Sequence, residues 1–368
     1  MTDTIWIDRD PPMDELAGAL ADAPWIGIDT EFMRERTFFP KLCLVQISAP
    51  GGIWLIDSLK VRRFDPLLAP LTAGHSSKIL HAARQDLEAL FLLTRKVVTP
   101  VFDTQIAAGC IGMKSQVGYA ELVKTLLDVS IGKSQTRTDW ARRPLSAAQL
   151  AYAAEDVVHL QEIAERLRER LEQLGRTQWA AEDCAQLANP ELYDPQPAAA
   201  WKRLKGLAQL PPAARGAAMT LAVWRERLAR EKDLPRSWIL SDPGLFSLAQ
   251  ARPADAARAL KAAPECEQWP PEALADMIEA IRTSTPAEGD ALRADELRPT
   301  PEQKALLNRL AALVDERAQQ LDMNAEILAP RGELRTMAMA SGDRTALELP
   351  CLRGWRRGEI GEALLAAL

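Results

Sequence analysis

The sequence predicts an α/β domain, with a mixed sheet flanked by helices, followed by two all-α domains. Strand-like apolar runs alternate with helix-like segments up to about residue 188, and no convincing strand follows. Proline-containing stretches at 190–197 and 283–301 interrupt the chain between helical blocks. A chain of 368 residues is also too long for one ordinary core. We therefore predict domains at 1–188, 197–282 and 290–368.

Five strands are predicted from short apolar runs that end at turn or polar residues. They cover residues 5–7, 26–29, 42–47, 53–56 and 78–81. Pro50-Gly51-Gly52 separates the third run from the fourth, and this turn sequence favours an antiparallel pair. Because helix-like segments separate other runs, we expect a mixed sheet flanked by helices.

Helices are predicted from their start signals and from composition. Asp86 precedes a short helix over residues 87–93, and Asp103 is the expected N-cap of a helix over 104–111. Beyond residue 197, richness in Ala, Leu, Arg and Glu favours helices throughout.

Composition and charge exclude several protein classes. The chain is 47% hydrophobic and 26% charged, as expected for a globular protein, and its net charge of -6 argues against coating duplex nucleic acid by charge alone. Five scattered cysteines and three histidines argue against zinc sites and disulfide scaffolds. No apolar run approaches the roughly 18 residues of a membrane span, and the start lacks the features of a signal peptide. We expect a cytoplasmic protein with no membrane partner.

Gly132-Lys133-Ser134 resembles the end of a phosphate-binding loop. The glycine that such a loop needs five residues earlier is replaced by Leu127, and no strand leads directly into the segment. We therefore expect no ATP site.

Four carboxylates and one phenol form the candidate catalytic set. Asp29 and Glu31 follow an apolar run, and in a strand they would point to the same face. Tyr152 and Asp156 are four residues apart, which places them on one face of a helix. Asp86, after the fifth strand, could converge with the two pairs.

The segment that carries Tyr152 and Asp156 has clear helix boundaries. Ser146 and Gln149 have the spacing of a capping box, and Gly175 provides a C-terminal stop. We predict one long helix from about residue 147 to about residue 174.

Such a set suits phosphodiester hydrolysis by two divalent ions about 3.5–4 Å apart, of which one activates a water and the other stabilises the leaving oxygen. Carboxylates favour magnesium or manganese ions. We assign Asp29 as the bridging ligand, and Glu31 and Asp156 as ligands of the ion that activates water. Asp86 is expected to hold the second ion or to support the ligands from behind. Tyr152 would orient the water, because a phenol with a pKa near 10 is a poor base at neutral pH.

Each of these residues alone has a simpler explanation. Asp29 or Glu31 alone is more often a turn or capping residue, and Asp86 is suitably placed to begin a helix. Tyr152 alone would usually be a half-buried aromatic, and Asp156 a solvated helix carboxylate. Their joint occurrence in one predicted domain, at strand ends or on a helix face, favours catalysis.

Three motifs of the chain resemble those of the ribonuclease D family, which belongs to the DEDD exonuclease superfamily and has a ribonuclease-H-like fold. They are Asp29-Thr30-Glu31-Phe32, the segment 81–90 (HAARQDLEAL) and the segment 152–157 (YAAEDV). The family divides on whether a tyrosine lies four residues before the last aspartate or a histidine five before it. Tyr152 and Ala151 occupy those positions, so the chain resembles the tyrosine type, DEDDy.

The helical domains resemble the HRDC domain, a nucleic-acid-binding module shared by RecQ-type helicases and ribonuclease D. Trp201-Lys202-Arg203-Leu204 and residues 221–240 carry the likeness of the first copy, and Gly354-Trp355-Arg356-Arg357 ends a more divergent second copy. The resemblance implies 3′-to-5′ exoribonuclease activity on structured RNAs with single-stranded 3′ ends, notably tRNA precursors. Our interpretation is a monomeric, magnesium- or manganese-dependent enzyme that releases mononucleotides.

Eight residues are candidates for RNA binding, because a 3′ end needs cations for its phosphates and apolar walls for its bases. They are Phe32 and Met33 after the first motif, Lys133, Arg137, Arg142 and Arg143 before the catalytic helix, and Lys202 and Arg203 in the first helical domain. Lys205, Arg225 and Arg227 could extend the last group. The alternatives are a core role for Phe32 and an ordinary solvated surface for the basic residues.

Two other functions fit the same sequence. A DNA exonuclease of the same mechanism would use the same carboxylates, because nothing in the motifs recognises a 2′-hydroxyl. A non-catalytic nucleic-acid-binding protein is the alternative from another class. The retention of all five catalytic side chains argues against it.

Overall fold

The computed structural model describes residues 4–132, 135, 138–288, 298–340 and 347–368. Within these residues, the first part of the chain forms one sheet of six strands. They are β1 (Thr4–Ile7), β2 (Trp25–Met33), β3 (Lys41–Ala49), β4 (Gly52–Ile56), β5 (Ser77–Leu80) and β6 (Val101–Asp103). Their order in the sheet is β1-β4-β3-β2-β5-β6.

The sheet is mixed, as predicted. Strand β3 pairs antiparallel with both β2 and β4, whereas β1 with β4, β2 with β5, and β5 with β6 form parallel pairs. The strand β6 has no counterpart among the predicted strands. It has only three residues, which is too short for an alternating pattern to be recognised.

Eight α-helices accompany the sheet in the described part of the chain. They are α1 (Pro11–Leu20), α2 (Leu68–Thr72), α3 (Arg84–Thr94), α4 (Thr104–Cys110), α5 (Tyr119–Leu127), α6 (Ala147–Val158), α7 (Leu160–Gln173) and α8 (Thr177–Ala185). Helices α3 and α4 match the two short helices expected after β5 and β6. Asp103 caps α4 as predicted, and it accepts hydrogen bonds from the backbone amides of Gln105 and Ile106 at 2.8 and 3.3 Å.

The prediction of one long helix over 147–174 is wrong in its middle, because α6 and α7 are separate helices that meet at His159. The carbonyl of Val157 accepts a hydrogen bond from the hydroxyl of Ser48 in β3, at 2.9 Å. This bond ties the end of α6 to the sheet. Neither proline nor glycine marks the break, so helical periodicity could not locate it.

The remaining described elements are helical and form two groups. The first group consists of α9 (Pro212–Lys232), α10 (Arg236–Ile239), α11 (Asp242–Ala251), α12 (Ala256–Ala262) and α13 (Pro271–Thr283). The second consists of α14 (Pro301–Leu321), α15 (Ala325–Leu328), α16 (Arg331–Met339), α17 (Gly354–Arg356) and α18 (Glu362–Ala366), with one π-helical turn (Arg357–Gly361) before α18. Each group surrounds its own apolar core. The predicted order of a mixed α/β part followed by helical structure is confirmed, whereas the division into two helical domains stays a prediction. No described helix is both long and apolar enough to span a membrane.

Both helical groups contact the α/β part. Phe38, in the loop between β2 and β3, is buried in the core of the first group. In the second group, the indole of Trp355 stacks on Trp179 of α8, with ring centres 4.3 Å apart and planes 7° apart. Arg356 forms a bidentate ion pair with Asp183 at 2.6 and 2.8 Å. The α/β part therefore has specific contacts with each group.

Candidate active site

Strand β2 presents the first two catalytic candidates on one face of the sheet. Asp29 lies opposite Gln46 of β3, and Glu31, two residues further on, points to the same face. Gly27 precedes them on this face, where an added Cβ atom would lie 2.3 Å from the hydroxyl of Ser48. A side chain at this position would therefore collide with β3. Glycine, which has no side chain, allows close packing on this face.

Helix α6 carries the other pair over that face. The predicted capping box at Ser146 fixes its first turn, and the helix packs against β2, β3 and β4. This packing brings Asp156 to the strand carboxylates. Ligand oxygens of Asp29, Glu31 and Asp156 all lie within 4.8 Å of one another.

The three carboxylates line a cavity of about 230 Å³. Its lining residues are Ile28, Asp29, Thr30, Glu31, His81, Tyr119, Tyr152, Asp156 and Leu160. Four of the five predicted catalytic residues thus share one cavity, and residues from β2, α5, α6 and α7 enclose it.

The fifth, Asp86, lies behind the cluster in the first turn of α3 and is 7% exposed. Its carboxylate accepts a hydrogen bond from the hydroxyl of Thr30 at 2.5 Å. Because Thr30 lies between Asp29 and Glu31, this bond connects α3 to the catalytic strand. Of the two predicted roles for Asp86, support of the ligands matches this geometry.

Burial and mutual repulsion raise the pKa of the clustered carboxylates. The pKa of Asp29 lies well above its usual range, first because of burial and then because of Asp86, Asp156 and Glu31. Burial, with repulsion from Asp156 and Asp86, raises the pKa of Glu31 to about 8. Burial also raises the pKa of Asp156 to about 7, although its hydrogen bond with Tyr152 lowers it.

Asp86 shows the same effect. Burial raises its pKa to about 7, against the lowering effect of the hydrogen bond from Thr30. Four acidic groups that lie close together and have raised pKa values favour the binding of a cation. The positive charge would stabilise their ionised forms.

The donor set fits a hard divalent ion. The ligand atoms are all carboxylate oxygens, which Mg²⁺ and Mn²⁺ prefer. One oxygen of each of Asp29, Glu31 and Asp156 lies within 4.8 Å of the others, so the three carboxylates are close enough to bind one ion together. These three residues would hold such an ion, which lowers the pKa of a bound water and stabilises negative charge on phosphate oxygens.

Tyr152 and His81 border the carboxylates in different ways. Tyr152, one helical turn before Asp156, forms a side-chain hydrogen bond with that carboxylate. Both ring nitrogens of His81 are engaged, one with the hydroxyl of Thr104 at 2.9 Å and the other with the carbonyl of Val117 at 3.0 Å. His81 is therefore a structural residue of the cavity wall, and Tyr152 is the polar group beside the ligands.

Phe32 and Met33 directly follow the catalytic strand residues, after an irregularity in the β2–β3 register between Glu31 and Phe32. Both side chains are partly exposed. Met33 lines a second, open cavity of about 580 Å³ together with Arg36 and Lys41. Their role as walls for the terminal nucleotide stays a prediction.

The prediction of Arg143 as a phosphate ligand is wrong. Its guanidinium forms a bidentate ion pair with the fully buried carboxylate of Asp57, with both bonds at 2.7 Å. Its other N–H groups donate to the carbonyls of Cys43, Trp140 and Arg142. All five donors of this side chain are occupied, so none is left for a phosphate.

The other predicted basic residues differ in their surroundings. Arg142 is exposed, whereas Lys133 and Arg137 lie outside the described residues. Lys202 and Arg203 are both exposed. The Lys202 ammonium lies 5.9 Å from the ring centre of Trp201, and Arg203 forms an ion pair at 3.1 Å with Glu226.

The prediction that Arg225 could extend this group of RNA-binding basic residues is wrong. Arg225 is buried, where it bonds to the carboxylate of Asp242 at 2.7 Å and to the carbonyl of Leu240 at 2.8 Å. Arg225 therefore fixes the start of α11 and does not face a ligand.

Sequence reasoning missed two polar residues of the site. Tyr119, the first residue of α5, lines the cavity, and burial together with Asp156 raises its pKa. Gln46 lies directly opposite Asp29 and is fully buried. Gln46 is a polar residue within the apolar run 42–47, and this exception to the pattern was the signal that could have identified it.

The chain is similar to known exonucleases along its whole length. The 3'-5' exonuclease family matches residues 4–172, and the HRDC domain family matches residues 215–275. A ribonuclease D of Pseudomonas paraeruginosa is 36% identical over 99% of this chain and 97% of its own length. A ribonuclease D of Acidiphilium cryptum is 36% identical over 98% of this chain and 92% of its own.

A solved structure gives the same result. The crystal structure of Escherichia coli RNase D, described as an exoribonuclease involved in structured RNA processing, is 28% identical with a TM-score of 0.87, covering 100% of this chain and 98% of that one. The match includes both the α/β part and the helical groups, so the agreement extends beyond the catalytic motifs. The chain therefore belongs to the ribonuclease D family of 3′-to-5′ exoribonucleases.

Proposed function

We propose that this enzyme trims RNA 3′ ends by two-metal-ion hydrolysis, with Mg²⁺ or Mn²⁺, and releases nucleoside 5′-monophosphates. The observation that carries the proposal is the cluster of Asp29, Glu31 and Asp156, whose oxygens lie within 4.8 Å of one another in one cavity. Two ions in such a site would supply an activated water and stabilise the leaving oxygen.

Individual residues of the chain have distinct proposed roles in this mechanism. Asp29 is the proposed bridging ligand, and its carboxylate has an oxygen within 4.8 Å of ligand oxygens of both Glu31 and Asp156. Glu31 and Asp156 are the proposed ligands of the ion that activates water. Asp86 accepts a hydrogen bond from Thr30 and so supports the ligands on β2 from behind. The hydroxyl of Tyr152, which bonds to Asp156, orients the attacking water.

The proposed substrate is a structured RNA with a single-stranded 3′ end, with tRNA precursors as the natural example. The E. coli relative is described as acting in structured RNA processing. The carboxylates are only partly exposed and line a cavity of about 230 Å³, which suits a scissile phosphate near the end of an unpaired strand.

The proposed path of that strand begins at Phe32 and Met33 and continues along the exposed Arg142. Lys133 and Arg137 belong to the same proposed path by their sequence positions. Lys202 and Arg203 would contact the body of the RNA, because both are exposed and belong to the first proposed helical domain. Cations along this path would give salt-dependent binding.

We further propose a cytoplasmic monomer that works without ATP, with domains at 1–188, 197–282 and 290–368. The first helical domain contains the HRDC match at 215–275. The third, of which residues 290–297 and 341–346 lie outside the described residues, is proposed as a divergent second HRDC-like domain.

The test is digestion of a 5′-labelled hairpin RNA with a single-stranded 3′ tail, beside the DNA of the same sequence, in Mg²⁺, in Mn²⁺ and in chelator. We expect a ladder that shortens from the 3′ end of the RNA and disappears in chelator. Analysis of the released products should show 5′-monophosphates.

The same experiment separates the rival functions. Equal or faster trimming of the DNA would move the function to DNA processing. Binding of both nucleic acids without trimming of either would identify a non-catalytic binding protein. Activity that persists in chelator would refute the metal mechanism.

A further inference from the structure

The side chain of Gln46 is fully buried, and neither its amide oxygen nor its amide nitrogen has a hydrogen-bond partner within the described part of the chain. A buried polar group without a partner costs about 1–3 kcal/mol, and a leucine of similar size would avoid that cost. Such groups are rare in folded proteins, and each calls for a specific explanation. Both polar atoms of the Gln46 amide are therefore available for a hydrogen bond with a neighbouring group.

The register of the sheet places this amide beside the catalytic carboxylates. Gln46 in β3 is the direct antiparallel partner of Asp29 in β2. Directly opposed residues point to the same face, with Cβ atoms about 4.5–5.5 Å apart. That face lies under α6, since the hydroxyl of Ser48, two residues after Gln46, donates to Val157 at the end of that helix.

Several other neighbours of Gln46 on this face are apolar. Leu44 lies two residues before it, and Leu55 lies opposite it in β4. The helix above contributes Ala153 and Val157 to the same apolar cluster. The hydroxyl hydrogen of Ser48 is already donated to Val157. The carboxylate directly across the strands from Gln46 is that of Asp29.

We propose that Gln46 is a positioning residue whose amide nitrogen donates a hydrogen bond to Asp29 when Asp29 is ionised and holds a metal ion. Carboxylates that bind metals are regularly fixed by such hydrogen bonds from behind, and loss of the donor typically costs about 10–100-fold in metal affinity. The amide reaches its partner by rotation of its side chain, with no movement of the backbone. This inference rests on the proposed role of Asp29 as a ligand.

The test measures binding of Mn²⁺ alone to the full chain, in the absence of RNA, by the decrease of the free-Mn²⁺ electron paramagnetic resonance signal. For Gln46→Leu we expect Mn²⁺ affinity about tenfold weaker than in the wild type. The thermal stability of the metal-free variant should be equal or higher, because the substitution removes an unpaired buried amide.

Ser48→Ala is the matched control, because Ser48 lies on the same face of the same strand and has a structural hydrogen bond to α6. It should lower stability and leave Mn²⁺ affinity unchanged. Gln46→Met, which keeps the shape of the side chain, replaces Gln46→Leu if that variant does not fold. As a direct readout, the side-chain ¹⁵NH₂ signals that disappear in Gln46→Met should shift in the wild type when Mg²⁺ is added.

Unchanged Mn²⁺ affinity in a folded Gln46 variant, or side-chain signals that ignore Mg²⁺, would overturn the inference. Lower stability with unchanged affinity would do the same, because it would identify a purely structural amide. Failure of the proposed function has a different signature, since the wild type itself would then not bind Mn²⁺.

Discussion

The carboxylate of Asp233 accepts a hydrogen bond from the backbone amide of Phe38 at 3.1 Å, and a second from the next amide, of Phe39, at 3.0 Å. Asp233 ends α9 with a left-handed conformation, at φ 50°. The guanidinium of Arg236 lies 4.5 Å from the centre of the Phe38 ring. The loop that directly follows the catalytic strand is thus anchored in the first helical group.

Phe38→Ala should destabilise the protein by about 3–5 kcal/mol, because it removes a buried aromatic side chain from the core of the first helical group. Thermal unfolding measures the loss. Asp233→Gly is the comparison, since glycine tolerates the left-handed conformation and only the two hydrogen bonds are lost. It should cost less than Phe38→Ala, and the reverse order would contradict the proposed anchor.

Asp156→Asn should abolish cleavage, because it removes one of the three clustered carboxylates while retaining the size of the side chain. RNA binding and folding should stay close to wild type, and Asp29→Asn should behave in the same way. Gel-based digestion and equilibrium RNA binding test this prediction together. Cleavage at the wild-type rate by either variant would refute the site.

Tyr152→Phe should slow turnover, with a smaller effect on metal affinity, because the phenol contacts a ligand and is not one itself. Single-turnover cleavage and Mn²⁺ titration separate the two effects. Tyr119→Phe is a control of the same chemistry in the same cavity. Unaltered single-turnover rates for Tyr152→Phe would remove the phenol from the mechanism.

Metal-free protein should lose stability as the pH rises from about 5 to 8. The folded-state pKa is about 8 for Glu31 and about 7 for Asp86 and Asp156, against about 4 in an unfolded chain. In this range the folded state binds more protons than the unfolded state, so the free energy of unfolding falls with rising pH. Thermal unfolding in chelator across this range measures the trend.

The same series with Asp156→Asn isolates one contribution to that trend. An amide does not titrate, so the slope of stability against pH should be shallower in the variant. Mg²⁺ should stabilise the wild type more at pH 8 than at pH 6, because metal binding must displace protons at the lower pH. A chelated wild type whose stability rises over this range would contradict the assignment.

Arg142 and Arg143 should give opposite results although they are neighbours. Arg143→Met leaves the buried Asp57 without its cation and should cost about 3–5 kcal/mol of stability. Arg142→Met removes an exposed charge and should leave stability within about 0.5 kcal/mol. It should weaken RNA binding. The slope of the logarithm of RNA affinity against the logarithm of salt concentration should become shallower by about the contribution of one phosphate contact.

Thermal unfolding and RNA titration at several salt concentrations cover both variants. If Arg143→Met is as stable as Arg142→Met, the ion pair with Asp57 contributes less to the free energy of unfolding than its geometry indicates. If Arg142→Met binds RNA with the wild-type salt dependence, Arg142 lies outside the RNA path.

Local rules of sequence predicted much of the site. Asp29 and Glu31 alternate along a strand, and Tyr152 and Asp156 are one helical turn apart, so each pair could be assigned to one face without any tertiary information. Their convergence depends on how α6 packs on the sheet. The spacing left this convergence as one possibility, and the family resemblance supported it.

Arg143 illustrates why the rest could not be predicted. Its partner Asp57 lies 86 residues earlier in the chain, at the end of β4, and no local pattern connects the two. A basic loop residue with such a buried partner has the same appearance in sequence as one that binds phosphate. Gln46 was missed for a related reason, because its significance comes from the strand opposite.

The contact between Trp179 and Trp355 has a consequence for the order of synthesis. Trp179 belongs to the nuclease part of the chain, but the indole that stacks on it belongs to the second helical group, which is synthesised later. A ribosome-bound chain that has completed the nuclease part still exposes this aromatic surface. A product that ends before Trp355 therefore leaves one face of the Trp179 indole uncovered.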